Sequence, residues 1–149
     1  QGNVIVKASD LLREKGLVGT YFDQQSRIYL EEAVPRTKFT LSNSLTVNKL
    51  NIYLRNTLFG ETTEATNEDL SDASIDFYND PKVITDLSLG YTFADNLNLT
   101  VGANNLLDVY PDLADPAFQS SGRFIYSRRA PQFSFGGRHL FARLAFTLE

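Results

Sequence analysis

Residues 83–107 read VITDLSLGYTFADNLNLTVGANNLL, and this stretch decides the fold. Apolar and polar side chains alternate through residues 83–93 and again through residues 97–107, with a turn at residues 94–96 between them. Successive side chains of a β-strand point to opposite faces of its sheet, so the alternation predicts two strands with one apolar and one polar face each. We therefore expect an antiparallel hairpin of long strands.

The same alternation continues upstream and downstream of this hairpin. It covers residues 37–47 (TKFTLSNSLTV) and 50–60 (LNIYLRNTLFG), which a two-residue turn at Asn48-Lys49 can join. It returns in residues 138–148 (RHLFARLAFTL) near the end of the chain. A shorter apolar run at residues 17–22 is a candidate sixth strand. The sequence therefore predicts five or six antiparallel strands.

Polar connections separate these strands. Residues 23–36, 61–82 and 108–137 are rich in charged residues, asparagine, serine, glycine or proline, and they are predicted to be loops. Two-residue or three-residue turns alternate with these longer loops along the chain. This regular order of short and long connections is a second indication of the fold, independent of the alternation within the strands.

Smaller elements are also expected within the polar segments. Residues 9–16 predict one or two helical turns, because Ser9 can cap the start and Gly16 can take the left-handed conformation at the end. Residues 124–126 and 133–135 are aromatic-rich and could extend neighbouring strands.

Strand length and loop rhythm favour a transmembrane β-barrel. Strands of about 9–11 residues suit a tilted crossing of the hydrocarbon layer, whereas strands in soluble sheets more often have about 5–6 residues. Short turns that alternate with long loops are typical of outer-membrane barrels. The sequence has no run of about 18 apolar residues and no signal-peptide pattern. The alternative is a soluble or surface-exposed antiparallel β-domain for binding or adhesion.

These two interpretations differ over the apolar faces of the strands. In a membrane barrel the apolar side chains face lipid and the polar ones face a wet lumen. In a soluble sandwich two apolar faces meet across a dry core about 10 Å thick. The positions that decide between them are Leu87, Leu89, Tyr91, Leu140, Leu144 and Phe146.

Composition excludes several classes of site. The chain has 14 Lys and Arg against 18 Asp and Glu, a net charge of −4 and a pI of about 5.0, which argues against a nucleic-acid partner. It has no cysteine and one histidine, so disulfide scaffolds, thiolate zinc sites and cysteine nucleophiles are excluded. His139 has no triad pattern around it, and the sequence predicts no catalytic residue, metal or cofactor.

Two counts predict that the chain is part of a longer protein. Its 149 residues contain no methionine and begin at Gln1. Its five or six predicted strands fall short of the roughly 8 that a single-chain outer-membrane barrel needs. An open sheet edge in a bilayer leaves unpaired backbone groups, so the missing strands are expected to come from the rest of a longer protein or, for this piece alone, from other chains or copies.

Several motifs point to one family. The motif residues are Asn104, Asn105, Leu106, Leu107, Asp108 and Tyr110, then Gly122 and Arg123, and finally Phe146 in the terminal aromatic strand. Upstream, Pro35 comes just before the first long strand. Over residues 17–148 this combination resembles the C-terminal end of TonB-dependent outer-membrane receptors, in the style of Bacteroidetes-type bacteria.

The resemblance implies a barrel of about 22 strands with a plug domain inside. This chain would supply the last five or six strands of that barrel, as an all-β antiparallel meander without a plug domain. It also implies an outer-membrane location, lipid and lipopolysaccharide as neighbours, and energy delivered by TonB through the plug. The imported nutrient is left open among a siderophore, cobalamin, a glycan and a peptide. Phe146 is not the last residue, and Leu148-Glu149 could be native or a junction with added sequence.

In receptors of this family the C-terminal end of the barrel lies in the periplasm, and this fixes the side of the membrane on which each connection would lie. The turns at residues 48–49 and 94–96 would be periplasmic. The loops at residues 23–36, 61–82 and 108–137 would lie outside the cell, where receptors of this family meet their ligands.

The motif residues are expected to act mainly on structure. Asn and Asp side chains bond local backbone groups, so residues 104–108 are expected to end a strand. Gly122 is expected to lie in a turn, and Arg123 is expected to place its charge in solvent or in the lumen. The weaker candidates for ligand or Ca²⁺ contacts in an outer loop are Glu68, Asp69, Asp72, Asp76 and Asp80. Their spacing does not fit an EF-hand, which favours a solvated acidic loop.

Overall fold

The structure, a computed structural model, describes most of the chain. The described residues are 10–17, 20, 23–65, 77–94, 96–114, 116, 119, 123–127 and 130–147. The chain forms two compact units, which we call the sheet unit and the loop unit. The sheet unit comprises Lys38–Phe59, Lys82–Tyr110 and Phe135–Glu149, and the loop unit comprises Gln1–Thr37, Gly60–Pro81 and Pro111–Ser134.

Antiparallel strands dominate the described residues, and the all-β meander predicted from the sequence is confirmed. In chain order the elements are α1 (Asp10–Glu14), α2 (Gln24–Glu31), β1 (Lys38–Val47), β2 (Leu50–Phe59), β3 (Thr62–Glu64), β4 (Phe77–Asn79), β5 (Lys82–Ala94), β6 (Leu97–Asn104) and β7 (His139–Phe146). Five strands form one sheet in the order β1-β2-β5-β6-β7, and β3 pairs with β4. The five-stranded sheet belongs to the sheet unit, and the β3–β4 hairpin belongs to the loop unit.

The long strands lie where the alternation predicts them. Asn48, between β1 and β2, has a positive φ of 52°, which a tight two-residue hairpin turn requires. β6 is three residues shorter than predicted and ends at Asn104. Asn105 has a positive φ of 50°, so the chain leaves the strand conformation at this point.

The register places most apolar residues of the five strands on one face. Residues directly opposite each other in a sheet share a face, and one row across the sheet consists of Leu45, Ile52, Leu89, Val101 and Ala142. Leu89 is 39% exposed even though it lies in the central strand. Other exposed residues on this face include Tyr91, Leu140, Leu144 and Phe146. The described residues therefore do not bury this face, whereas a soluble sandwich would.

One hydrogen-bonded polar pair interrupts the apolar face. Asn56 of β2 lies directly opposite Thr85 of β5. The Thr85 hydroxyl donates a hydrogen bond to Asn56 Oδ1 at 2.8 Å. Because these two groups satisfy each other, the pair costs less in apolar surroundings than two isolated polar groups would.

The opposite face of the sheet is polar and carries two glycines with different surroundings. Gly90 of β5 lies opposite Thr100, and a Cβ there would have ordinary space, with the nearest atom at 3.4 Å. Gly102 of β6 lies opposite Phe141, whose ring covers it. A Cβ at Gly102 would also lie 2.7 Å from the backbone oxygen of Leu87. Only glycine fits at this second position without a shift of the backbone.

The loop unit contains a helix where the sequence predicted a loop. α2 begins after Asp23, whose side chain accepts a hydrogen bond from the backbone N–H of Ser26 at 2.7 Å. The same hydrogen bond holds the pKa of Asp23 below its usual value. Ile28 is buried on one side of the helix. The prediction of a loop over residues 23–36 is therefore wrong for α2.

Two other predictions in the loop unit are corrected. The predicted loop at residues 61–82 contains the hairpin of β3 and β4. The strand predicted at residues 17–22 is wrong at its described members, because the backbone N–H of Thr20 donates to the Leu17 carbonyl at 3.1 Å, as in a helical turn. The other four residues of that prediction lie outside the described residues.

The predictions for the remaining small elements agree with the structure only in part. Gly16 follows α1 with a positive φ of 65°, as predicted, and Ser9 lies outside the described residues. Residues 133–135 form no strand, and residues 124–126 contribute only an isolated bridge at Tyr126. Among the described helices, none has the length and apolar character needed to span a membrane.

Candidate functional site

The motif after β6 forms a closed corner around one asparagine. Asn105 is 7% exposed, and its side chain bonds the backbone of Val109 twice. Asn105 Nδ2 donates to the Val109 carbonyl at 2.7 Å, and Asn105 Oδ1 accepts from the Val109 N–H at 2.9 Å. This pair of bonds ties the chain to itself over four residues and fixes the direction in which it leaves the sheet.

Asp86 connects this corner to the two central strands. Its Oδ1 accepts the backbone N–H of Asn105 at 2.9 Å. Its Oδ2 accepts from Arg55 of β2, with the Arg55 Nη2 at 2.7 Å. One carboxylate on the polar face therefore holds β2, β5 and the end of β6 together.

Asp108 connects the corner to the start of β7. Its backbone has a positive φ of 58°, and its Oδ1 accepts the backbone N–H of Arg138 at 2.7 Å. The Arg138 guanidinium lies 3.8 Å from the second carboxylate oxygen. Gly137, with a φ of 67°, lies against Tyr110 and Asp108, so a Cβ would have no space there. The structure thus brings Asn105, Asp108 and Tyr110 of the motif into one corner.

Leu106 also belongs to the corner, because its backbone N–H donates to the Thr85 carbonyl at 2.7 Å. The remaining motif residues lie apart from it or outside the described residues. Exposed motif residues are Asn104, Leu107, Arg123 and Phe146. Gly122 lies outside the described residues.

Substitution of Asn105 by alanine is expected to lower the free energy of unfolding by about 1–3 kcal/mol, because two backbone groups lose their partner. The neighbouring exposed residue provides a matched control, and Asn104→Ala is expected to have almost no effect. Chemical unfolding of the purified protein measures both values. Equal losses for the two variants would contradict the assigned role of Asn105.

The acidic residues singled out as candidate ligands are mostly beyond what the structure describes. Asp80 is described, and its backbone N–H donates to a carboxylate oxygen of Asp112 at 2.7 Å. The others, Glu68, Asp69, Asp72 and Asp76, lie outside the described residues. Within the described part of the chain, no group of three or more His, Asp or Glu side chains is arranged to hold a metal ion.

A cleft of about 170 Å³ lies within the loop unit. The residues that line it are Glu32, Arg36, Glu61, Thr63 and Tyr78. Thr63 and Tyr78 are directly opposite each other in the β3–β4 hairpin, so their side chains share one face. The segment after α2 supplies the other side, and the Thr63 N–H donates to the Glu32 carbonyl at 3.0 Å.

The opposite face of the same hairpin is buried in a polar cluster. Thr62 and Asn79 are opposite each other, are each 1% exposed and are joined by a hydrogen bond of 3.1 Å. The Thr62 hydroxyl also donates to the Ala130 carbonyl at 3.0 Å. The Gln132 amide donates to the Gly60 carbonyl and to the carbonyl of Asp80. These contacts hold the hairpin from behind, so the cleft has a fixed floor.

The walls of the cleft combine an aromatic ring with charges of both signs. Tyr78 is 62% exposed. The Arg36 guanidinium lies 3.9 Å from Glu32 and donates through Nε to the Glu31 carbonyl at 3.4 Å. Glu61 is exposed and forms no ion pair with any described residue. This arrangement offers hydrogen-bond donors, acceptors and a stacking surface, which are the kinds of group that ligand sites use.

The sequence pattern does not predict this cleft. Its residues come from two segments separated by about 25 residues, and no local motif connects them. The one sequence signal was Asp23 with Ser26 three residues later, which could have predicted the helix that positions Glu32 and Arg36.

Comparison with known proteins identifies the fold. No protein-family model matches the sequence, and no curated protein matches it. A mutant of the ferric enterobactin receptor of Pseudomonas aeruginosa has a similar solved structure, with a TM-score of 0.55 and 18% sequence identity. The similarity covers 84% of this chain but 18% of the receptor chain, so this chain spans less than a fifth of the receptor's length. The protein therefore has the fold of part of an outer-membrane receptor.

Proposed function

We propose that the chain forms part of the barrel wall of a TonB-dependent outer-membrane receptor that imports a scarce nutrient. Residues 1–149 would be the C-terminal part of that barrel, and the plug domain would come from elsewhere in the protein. The observation that carries the proposal is the sheet unit, with five antiparallel strands of 8–13 residues and one exposed apolar face.

The two faces of this sheet suit the wall of a barrel in a lipid bilayer. Hydrocarbon can cover the apolar face without needing hydrogen bonds, while the polar face suits a wet lumen. The outer edges of β1 and β7 carry backbone groups that need partners in a bilayer. Further strands of the same barrel would supply those partners and close the sheet.

The proposed mechanism follows from this arrangement. The nutrient would bind outside the cell at the segments of the loop unit, with lipid and lipopolysaccharide around the barrel. Energy delivered through TonB to the plug would then open a path along the polar face. The motif at residues 104–110 favours a Bacteroidetes-type receptor, and the similarity to the ferric enterobactin receptor supports the barrel fold.

Single tryptophans can test which face meets lipid, because this chain contains no tryptophan of its own. Leu45 lies on the apolar face of β1, and the adjacent Ser44 lies on the polar face at a similar depth. Both side chains are exposed, so both positions can accept a larger residue. In vesicles of brominated phospholipid, the fluorescence of the Leu45→Trp variant is expected to be quenched strongly and that of Ser44→Trp weakly.

Equal quenching of the two variants would contradict the proposal. A monodisperse monomer obtained without detergent would also contradict it, because an exposed apolar face of this size does not stay monomeric in water. That second outcome would instead support the soluble or surface-exposed binding domain.

A further inference from the structure

An exposed aromatic ring is the central feature of the cleft in the loop unit. Tyr78 is 62% exposed, and its cross-strand partner Thr63 forms the floor beside it. The next residue, Asn79, is anchored on the buried side of the hairpin by its hydrogen bond to Thr62. Because the strand is held from behind, the ring is presented to solvent at little cost in conformational freedom. Such a ring is a stacking surface for a ring-shaped ligand.

The polar groups beside the ring favour a ligand that both donates and accepts hydrogen bonds. Arg36 can only donate, and the carboxylates of Glu32 and Glu61 can only accept. A cationic ligand would meet the like charge of Arg36, and an anionic ligand would meet two carboxylates. Hydroxyl groups donate and accept without a net charge, so a neutral polyhydroxylated ligand suits all three side chains.

The charge of the surrounding segment also disfavours an anionic ligand. Residues 60–81 contain seven acidic residues and no basic residue. A concentration of one charge sign repels ligands of the same sign and lowers their local concentration. A neutral ligand is not affected by this field, and a cation, which the field attracts, meets the like charge of Arg36 inside the cleft.

The size of the cleft limits how much of a ligand it can hold. Pockets for drug-sized ligands are typically about 300–1,000 Å³, and this cleft is about 170 Å³. It therefore accommodates one small ring, and the rest of a larger ligand would extend into solvent.

We propose that this cleft binds one sugar ring of a neutral oligosaccharide. The apolar face of the ring would stack on Tyr78, its hydroxyls would accept from Arg36, and they would donate to Glu61. The proposal rests on the proposed receptor function, because it names glycans as the nutrient class of that receptor.

Isothermal titration calorimetry on the full chain can test this proposal directly. The chain is held in lauryldimethylamine oxide, because a detergent with a sugar headgroup would compete for the cleft. The probes are maltohexaose, cellohexaose and mannohexaose as neutral oligosaccharides, a hexamer of glucosamine as the cation, and a hexamer of galacturonate as the anion. At least one neutral hexamer is expected to bind better than either charged one, with an affinity that does not change with salt.

Substitutions separate the stacking contact from a general effect on the loop unit. Tyr78→Ala is expected to weaken binding by about tenfold or more, while Tyr78→Phe keeps the ring and most of the affinity. Phe124 is also an exposed aromatic residue of the loop unit but does not line the cleft, so Phe124→Ala is the matched control and is expected to leave binding unchanged. Glu61→Gln and Arg36→Gln remove the charges and are expected to weaken binding by a smaller factor.

Three results would overturn the proposal. These are the failure of all neutral hexamers to bind at millimolar concentration, tighter and salt-dependent binding of a charged hexamer, or equal losses for Tyr78→Ala and Phe124→Ala. Its failure is distinct from failure of the receptor function. If the tryptophan on the apolar face is quenched by lipid but no saccharide binds, only the glycan assignment is overturned. If a saccharide binds but lipid does not quench that tryptophan, only the membrane assignment is overturned.

Discussion

Replacement of Leu41 by arginine is expected to lower the free energy of unfolding of the membrane-inserted protein by about 2–4 kcal/mol. Leu41 is the fourth residue of the ten-residue strand β1 and is 51% exposed on the apolar face. In the proposed barrel wall, a guanidinium at this position would have to leave water for hydrocarbon, and that cost is greatest near the middle of the bilayer. Urea unfolding in liposomes measures the loss.

The adjacent residue provides the control for this substitution. Thr40 lies on the polar face at nearly the same depth, opposite Thr57. Thr40→Arg is expected to cost much less, because its guanidinium would reach the wet lumen. Equal losses for the two variants would contradict the assignment of the faces, and a larger loss for Thr40→Arg would reverse it.

The second large effect is expected at Gly102. Gly102→Ala should lower the free energy of unfolding by about 1–3 kcal/mol, the usual range for overpacking. Its new Cβ would lie 2.7 Å from the Leu87 carbonyl oxygen, which belongs to the neighbouring strand and cannot rotate away. The Phe141 ring would also have to leave its position over the glycine.

Gly90→Ala is the matched control, because it makes the same chemical change on the same face of the sheet. A Cβ at Gly90 meets Thr100 Oγ1 at 3.4 Å, an ordinary contact. Alanine there is expected to be neutral or slightly stabilising, because glycine weakens a strand interior. Thermal unfolding of both variants in the same detergent compares them, and a neutral Gly102→Ala would show that the close packing over Gly102 is not needed.

The long strands could be predicted from the sequence because the two faces of this sheet differ in polarity. A strict alternation arises when each side chain of a strand meets either an apolar or a wet medium, and β1, β2, β5 and β6 follow it closely. The β3–β4 hairpin could not be predicted in this way. Its strands have three residues each, and the contacts that bury it include Ala130 and Gln132, more than fifty residues along the chain from Asn79.

The corner around Asn105 could be predicted from the sequence in part, whereas the cleft around Tyr78 could not, and the reason is the same. The contacts of Asn105 with Val109 span four residues, so the tendency of asparagine to bond nearby backbone was visible in the motif. The link from Asp86 to Arg55 and the cleft around Tyr78 depend on strand register and on distant segments. Single residues in the sequence carry no sign of such neighbours.

The contact between Asp108 and Arg138 has a consequence for how this chain can change over evolution. It joins the two ends of the connection from β6 to β7, so that connection leaves and returns at fixed points. Insertions, deletions and substitutions between those points that spare Ala130 and Gln132, which hold the β3–β4 hairpin, can accumulate without altering the pairing of β6 with β7. A lineage could therefore diversify what this connection recognises while conserving its scaffold, and the same position is suited to grafting a foreign epitope.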